Sequence, residues 1–87
     1  MEIYESKRKD KRFMAIINNK KYHFGSKGSS TYIDHHDKKK RENYIKRHIV
    51  NEDWSKINAG SLSRFLLWGH STSLDKNIRD YIKRFNL

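Results

Sequence analysis

In the run Asp34-His-His-Asp-Lys-Lys-Lys-Arg-Glu-Asn-Tyr-Ile-Lys-Arg-His48, the first acids precede the bases and apolar residues recur at helical spacing. Asp34 or Asp37 can cap the free backbone N–H groups at the start, where a negative charge also suits the helix dipole. At about 100° per residue, Arg41, Tyr44, Ile45, His48 and Ile49 share one side of this helix. Lys39, Lys40, Asn43, Lys46 and Arg47 share the other. The first side is predicted to pack on the fold and the second to meet an anion.

Upstream, Phe13 to Ile17 reads as a strand, Asn18-Asn19-Lys20 as a turn, and Lys21 to Phe24 as a second strand. Asparagine tolerates the positive φ that a tight hairpin turn requires. Phe13, Ala15 and Ile17 point one way, and Tyr22 and Phe24 can face the same way across the pair. A lone hairpin is marginal in water, so this face needs helices beneath it. Gly25-Ser-Lys-Gly-Ser-Ser30 breaks the strand, and Thr31-Tyr32-Ile33 reads as a brief return to extended structure. Residues 1–12 read as a flexible basic arm carrying Lys7, Arg8, Lys9, Lys11 and Arg12.

Downstream, Trp54 is expected against the core. Ser61 is the expected cap of a short helix to Trp68 that is apolar nearly all round and stopped by Gly69. Ser71-Thr72-Ser73 caps a last helix from Leu74 to Phe85, with Leu74, Ile78, Tyr81, Ile82 and Phe85 as its apolar stripe. Asp75 with Arg79 and Lys76 with Asp80 are spaced for i,i+4 ion pairs. The expected fold is α+β: an N-terminal antiparallel β-hairpin followed by three helices packed around a small aromatic-rich core. A single small domain covers residues 13–87.

Twenty Lys and Arg face ten Asp and Glu, a formal net charge of +10, and a field of that sign favours polyanions. Hydrophobic residues make up only 34% of the chain, but the aromatic 13% sits in patterned segments, which predicts a folded domain. With 87 residues the chain can bury one modest core. The absence of cysteine excludes disulfides and thiolate metal sites. No apolar run approaches the roughly 20 residues needed to span a bilayer, and the start Met1-Glu2-Ile3-Tyr4-Glu5-Ser6 lacks a signal-peptide pattern. Membrane insertion and secretion are therefore not expected.

Several aligned cations on a rigid helix can each neutralise one phosphate and release counterions. The nucleic-acid-binding candidates are Lys39, Lys40, Asn43, Lys46 and Arg47 on the helix, Lys27 in the Gly/Ser loop, and Lys7, Arg8 and Lys9 in the arm. The plainer reading of the helix face is a solvated surface that keeps a small protein soluble. The Gly25–Ser30 loop either cradles a phosphate through successive N–H groups or serves as a hairpin exit with positive φ at Gly25 and Gly28. It lacks the Gly-x4-Gly-Lys-Ser/Thr order of a nucleotide-binding P-loop. Asp34, His35, His36 and Asp37 are adjacent in sequence and suit a cap and turn better than a metal or a nuclease centre. No metal, cofactor or catalytic residue is assigned. Most aromatics fall at core-facing positions, with Tyr4 and Tyr32 the exceptions expected at the surface.

The ordered series His23-Phe24-Gly25-Ser26-Lys27-Gly28, Tyr32-Ile33-Asp34-His35-His36-Asp37, Arg41, Tyr44-Ile45, Arg47-His48, Glu52-Asp53-Trp54, Ala59-Gly60-Ser61-Leu62-Ser63-Arg64 and Leu67-Trp68 resembles a family of short basic proteins. That family is encoded by large nucleocytoplasmic double-stranded DNA viruses of algae and protists. The resemblance spans roughly residues 11–85. It implies a viral origin and a place in the virion or in the viral factory of an infected host cell. It implies no catalytic residue.

Together these readings predict a non-enzymatic, sequence-tolerant nucleic-acid-binding protein of a large DNA virus, with duplex DNA favoured and genome condensation or packaging as its role. The alternative is a virion structural or adaptor protein whose basic surface binds an acidic viral protein. The hairpin edge leaves room for pairing with a second copy.

Overall fold

Asn18 and Asn19 adopt φ of 51° and 67°, the two-residue turn whose twist matches the strands it joins. In the computed structural model, which describes residues 1–87, this turn links β2 (Lys11–Ile17) to β3 (Lys20–Ser26). Phe13 lies opposite Phe24 and Ala15 opposite Tyr22, so the expected apolar face forms. Ala15, Ile17 and Phe24 on that face are buried.

Residues 1–12 are not the unpaired arm that their charge suggests. Glu2–Glu5 forms β1, which pairs antiparallel with β2 and completes a three-stranded sheet in the order β1-β2-β3. Met1 and Ile3 pack on the core while Glu2, Tyr4 and Glu5 are exposed, and that burial favours the pairing. The turn after β1 is tied down by Ser6. Its N–H donates to the Arg12 carbonyl at 3.0 Å, and its Oγ accepts from Arg8 N–H at 3.1 Å and bonds His23 Nδ1 at 2.7 Å. The charged run is therefore mostly a connection between two strands.

The single helix expected from Asp34 is two helices, α1 (Tyr32–His35) and α2 (Lys38–His48). His36 takes φ 58° and breaks the first, and the Asp37 N–H donates to His35 Nδ1 at 2.9 Å. Thr31-Tyr32-Ile33 consequently enters a helical turn, not extended structure, and Tyr32 is buried where a surface position was expected. Of the two candidate caps, Asp37 serves α2, accepting from Lys39 and Lys40 N–H. Asp34 instead accepts from the Thr31 N–H and hydroxyl, both at 2.8 Å, and from the Arg12 guanidinium at 2.7 and 2.8 Å. That fork ties α1 to β2.

α3 (Ala59–Leu62) runs into one π-helical turn at Ser63–Leu67. Its cap is Asn58, which accepts from Ser61 N–H at 2.7 Å. Ser61, the expected cap, lies buried inside the helix with its Oγ 2.8 Å from the Tyr81 hydroxyl. Leu62, Leu66 and Leu67 are essentially fully buried, as an all-round apolar helix demands. Burial on this scale stabilises by about 1.5–3 kcal/mol per side chain. Just past the segment only glycine fits at Gly69, where a Cβ would stand 2.2 Å from the Phe65 carbonyl oxygen.

α4 (Leu74–Arg84) starts at Ser73, as expected, and buries Tyr81. It also buries Asn77, whose side chain donates to the Leu66 and Ser71 carbonyls and accepts from Ser71 N–H, pinning the turn around Gly69. No ion pair joins Asp75 to Arg79 or Lys76 to Asp80 within 4.0 Å. Trp54 is half-buried outside the core cluster, with its indole N–H on Glu52 at 2.9 Å. The fold is α+β: a three-stranded antiparallel sheet covered by four helical segments. No helix is long and apolar enough to cross a membrane.

Candidate nucleic-acid interface

The basic helix is fastened to the fold mainly by polar and aromatic contacts. Tyr44, its one buried residue, stacks on Trp68 with centroids 4.4 Å apart and planes 5° from parallel. His48 also stacks on Tyr44, with ring centroids 4.2 Å apart. Burial pushes the Tyr44 phenol well above its ordinary pKa. The His48 Nδ1 bonds Glu52, which also accepts from Trp54. Arg41 Nε donates to the Gly69 and Trp68 carbonyls at 2.8 and 3.3 Å. Ile49, expected on the packing side, lies past the helix end and is 56% exposed.

Beside this seam lies a cleft of about 620 Å³. One wall is the segment after β3, with Ser26, Ser29, Ser30 and Thr31. The facing wall is α2, presenting Lys40, Asn43 and Arg47. Phe24, Leu67 and Trp68 also line it, as does Lys11, brought there by its register opposite Ser26. Gly25 turns the chain at φ 77°, and a Cβ there would meet Leu67 Cδ1 at 2.9 Å. Within the loop, Lys27 N–H donates to the Asp10 carbonyl and Ser29 N–H to Ser26. Two backbone donors that a phosphate cradle would use are thus engaged inside the protein, and the serine side chains carry the loop's polarity into the cleft.

The structure brings Lys40, Asn43 and Arg47 together around this cleft, while Lys39 and Lys46 are exposed on α2 outside its lining. Lys27 is exposed in the loop, hydrogen-bonded through its backbone to the turn that carries Lys7, Arg8 and Lys9. These four cations gather at the sheet end where Lys11 and Ser26 enter the cleft. No carboxylate oxygen lies within 4.0 Å of Lys11, Lys40, Lys46 or Arg47, and Lys39 has one, on Glu42, at 4.0 Å. The Lys40 and Lys39 N–H groups hold the Asp37 carboxyl below its ordinary pKa, so the cap stays charged at the foot of the helix.

His35 also lines the cleft. Its Nδ1 accepts from Asp37 N–H, which assigns the ring proton to Nε2. That Nε2 is buried and has no protein partner. The cleft lining thus combines cations and hydroxyls with one carboxylate, Glu52.

A family model described as a family of unknown function, DUF5754, matches residues 1–48. The chain belongs to this family. No curated protein and no solved structure matches it. The DUF5754 match takes in the sheet, the Gly/Ser loop and the whole of α2, and stops before α3. The DUF5754 residues therefore include every Lys and Arg on the cleft, and the chain after the match adds Glu52, Ala59, Gly60, Ser63, Leu67 and Trp68 to its lining.

Sequence reading missed Lys11, because it placed that residue in a free arm, and it missed His35 and the Trp68–Tyr44–His48 stack. The i,i+4 spacing of Tyr44 and His48 was a visible signal for their stacking. Nothing local pointed to Trp68, which is 24 residues further on.

Proposed function

We propose that this chain is a non-enzymatic, sequence-tolerant nucleic-acid-binding protein that grips phosphates between α2 and the loop after β3. The observation that carries the reading is the set of cations without carboxylate partners on one cleft: Lys11, Lys40 and Arg47, with Asn43 between the latter two. Unpaired cations on rigid elements retain their full attraction for polyanions, and each phosphate they neutralise releases counterions. Phosphate contacts position a protein without specifying sequence. Lys39 and Lys46 extend the surface along α2, and Lys7, Arg8, Lys9 and Lys27 extend it along the sheet end. Duplex DNA is the favoured partner, with genome condensation or packaging in a large DNA virus as the setting that the sequence resemblance supplies.

Competition tests the choice of polyanion. A labelled random duplex bound to the protein is challenged with unlabelled duplex or with polyglutamate at equal charge concentration. Displacement by duplex at far lower concentration supports the reading. Equal displacement by both, or preference for polyglutamate, favours an acidic protein as the partner of this surface.

A further inference from the structure

Three arginines from three elements line a second hollow of about 320 Å³: Arg41 of α2, Arg64 of the π turn and Arg84 at the end of α4. Arg41 and Arg64 share one acceptor, the Trp68 carbonyl, at 3.3 and 2.8 Å. Arg64 and Arg84 lie over one ring, that of Phe65, at 5.1 and 4.1 Å from its centroid. His70 stands on the same lining. None of the three guanidiniums has a carboxylate oxygen within 4.0 Å. Asp80, the one carboxylate on the lining, forms no ion pair.

Such a grouping of like charges is itself unfavourable. Arg41 and Arg64 are half-buried and Arg84 is exposed beside them, so their like charges repel, and a buried donor without a partner forfeits its hydration. Burial first, then the neighbouring charges of Arg41 and Arg84, push the Arg64 guanidinium below its ordinary pKa. Capping the Trp68 and Gly69 carbonyls just past the π turn accounts for Arg41 Nε and for one terminal nitrogen of Arg64. It leaves Arg64 Nε, which is buried without a partner. It also leaves Arg84, which makes no hydrogen bond to any carbonyl and holds its charge against Phe65. Guanidinium forks match the oxygens of a phosphate, two donors to one group, and an anion among them would satisfy the free N–H groups and offset the repulsion.

We propose that this hollow is a binding site for a phosphate group, either the free ion or a terminal phosphomonoester, held by Arg41, Arg64 and Arg84. The site is separate from the cleft and does not depend on the nucleic-acid reading, since it uses none of the cleft's cations.

Thermal melts of the full chain in inorganic phosphate, against chloride at matched ionic strength, test it. At roughly ten times Kd, phosphate should raise Tm by about 5–10 °C. Arg84→Gln should abolish that rise, and Arg64→Gln likewise where it folds. Lys40→Gln, in the cleft, should keep it. Arg84 decides the matter because it is exposed and caps no carbonyl, so its loss removes no hydrogen bond of the fold. A short oligothymidylate with and without a 5′-phosphate separates the sources: extra stabilisation by the phosphorylated strand over the unphosphorylated one, lost in Arg84→Gln, assigns a terminal monoester, and a rise from inorganic phosphate with no such extra assigns the free ion. No rise from either phosphate source, or a rise unchanged in Arg84→Gln, or one lost in Lys40→Gln, overturns the proposal.

Discussion

Asp34 accepts four hydrogen bonds, two from the Arg12 fork and two from Thr31. Arg12 foremost, with Thr31, holds its carboxyl far below the usual range. A folded-state pKa below the unfolded one contributes stability above the unfolded value, and that contribution is lost as pH falls through the folded value. Asp34→Asn should therefore lower Tm at pH 7, with the gap to wild type narrowing as pH drops below about 4. Melts at several pH values check this, and a gap constant from neutral to acid pH would mean that the fork contributes nothing. Trp68 carries a different burden, because its ring receives Tyr44 and lies 5.3 Å from His35. Trp68→Ala should cost about 3 kcal/mol in denaturant unfolding and loosen α2 from the fold. A loss below about 1 kcal/mol would show that the stack is not what fastens the helix.

α2 presents its cations in two sets, and the difference is measurable. Lys40 and Arg47 line the cleft, while Lys39 and Lys46 are exposed outside it. In duplex binding, Lys40→Ala with Arg47→Ala should flatten the salt slope by up to about 1.8, or 0.9 per lost phosphate contact. Lys39→Ala with Lys46→Ala should have the smaller effect. All four side chains are exposed, so circular dichroism should show an unchanged fold. Equal losses from the two pairs would make the whole outer face of α2 the contact surface, with no special part for the cleft. The helix faces were readable in the sequence because one period of about 100° sorts these residues without knowledge of the fold. The break at His36 was not, since it depends on Asp37 giving its N–H to the His35 ring and capping a new helix. Arg41 shows the same limit: its position on the packing side was right, but its partners are the Trp68 and Gly69 carbonyls, far along the chain.

For the whole molecule, the hairpin and α4 were legible because alternation, an Asn-Asn turn and an apolar stripe are local signals. β1 was not: its four residues hold little pattern, and its pairing is decided by Ile3 meeting Ala15 across the sheet. Placing β1 in the sheet also relocates the charge. Lys7, Arg8 and Lys9 become a turn anchored by Ser6 at the sheet end beside Lys11 and the Gly/Ser loop. A chain of net charge +10 thus gathers much of its excess at one end of the sheet and along one helix. Nucleic-acid binding through that region is the central claim. Fluorescence anisotropy of a labelled random duplex, titrated with the protein from about 50 to 200 mM salt, tests it most directly. The account predicts tight binding at the lowest salt, a steep fall in affinity with rising salt, and no dependence on sequence. No binding at the lowest salt, or binding indifferent to salt, would contradict it.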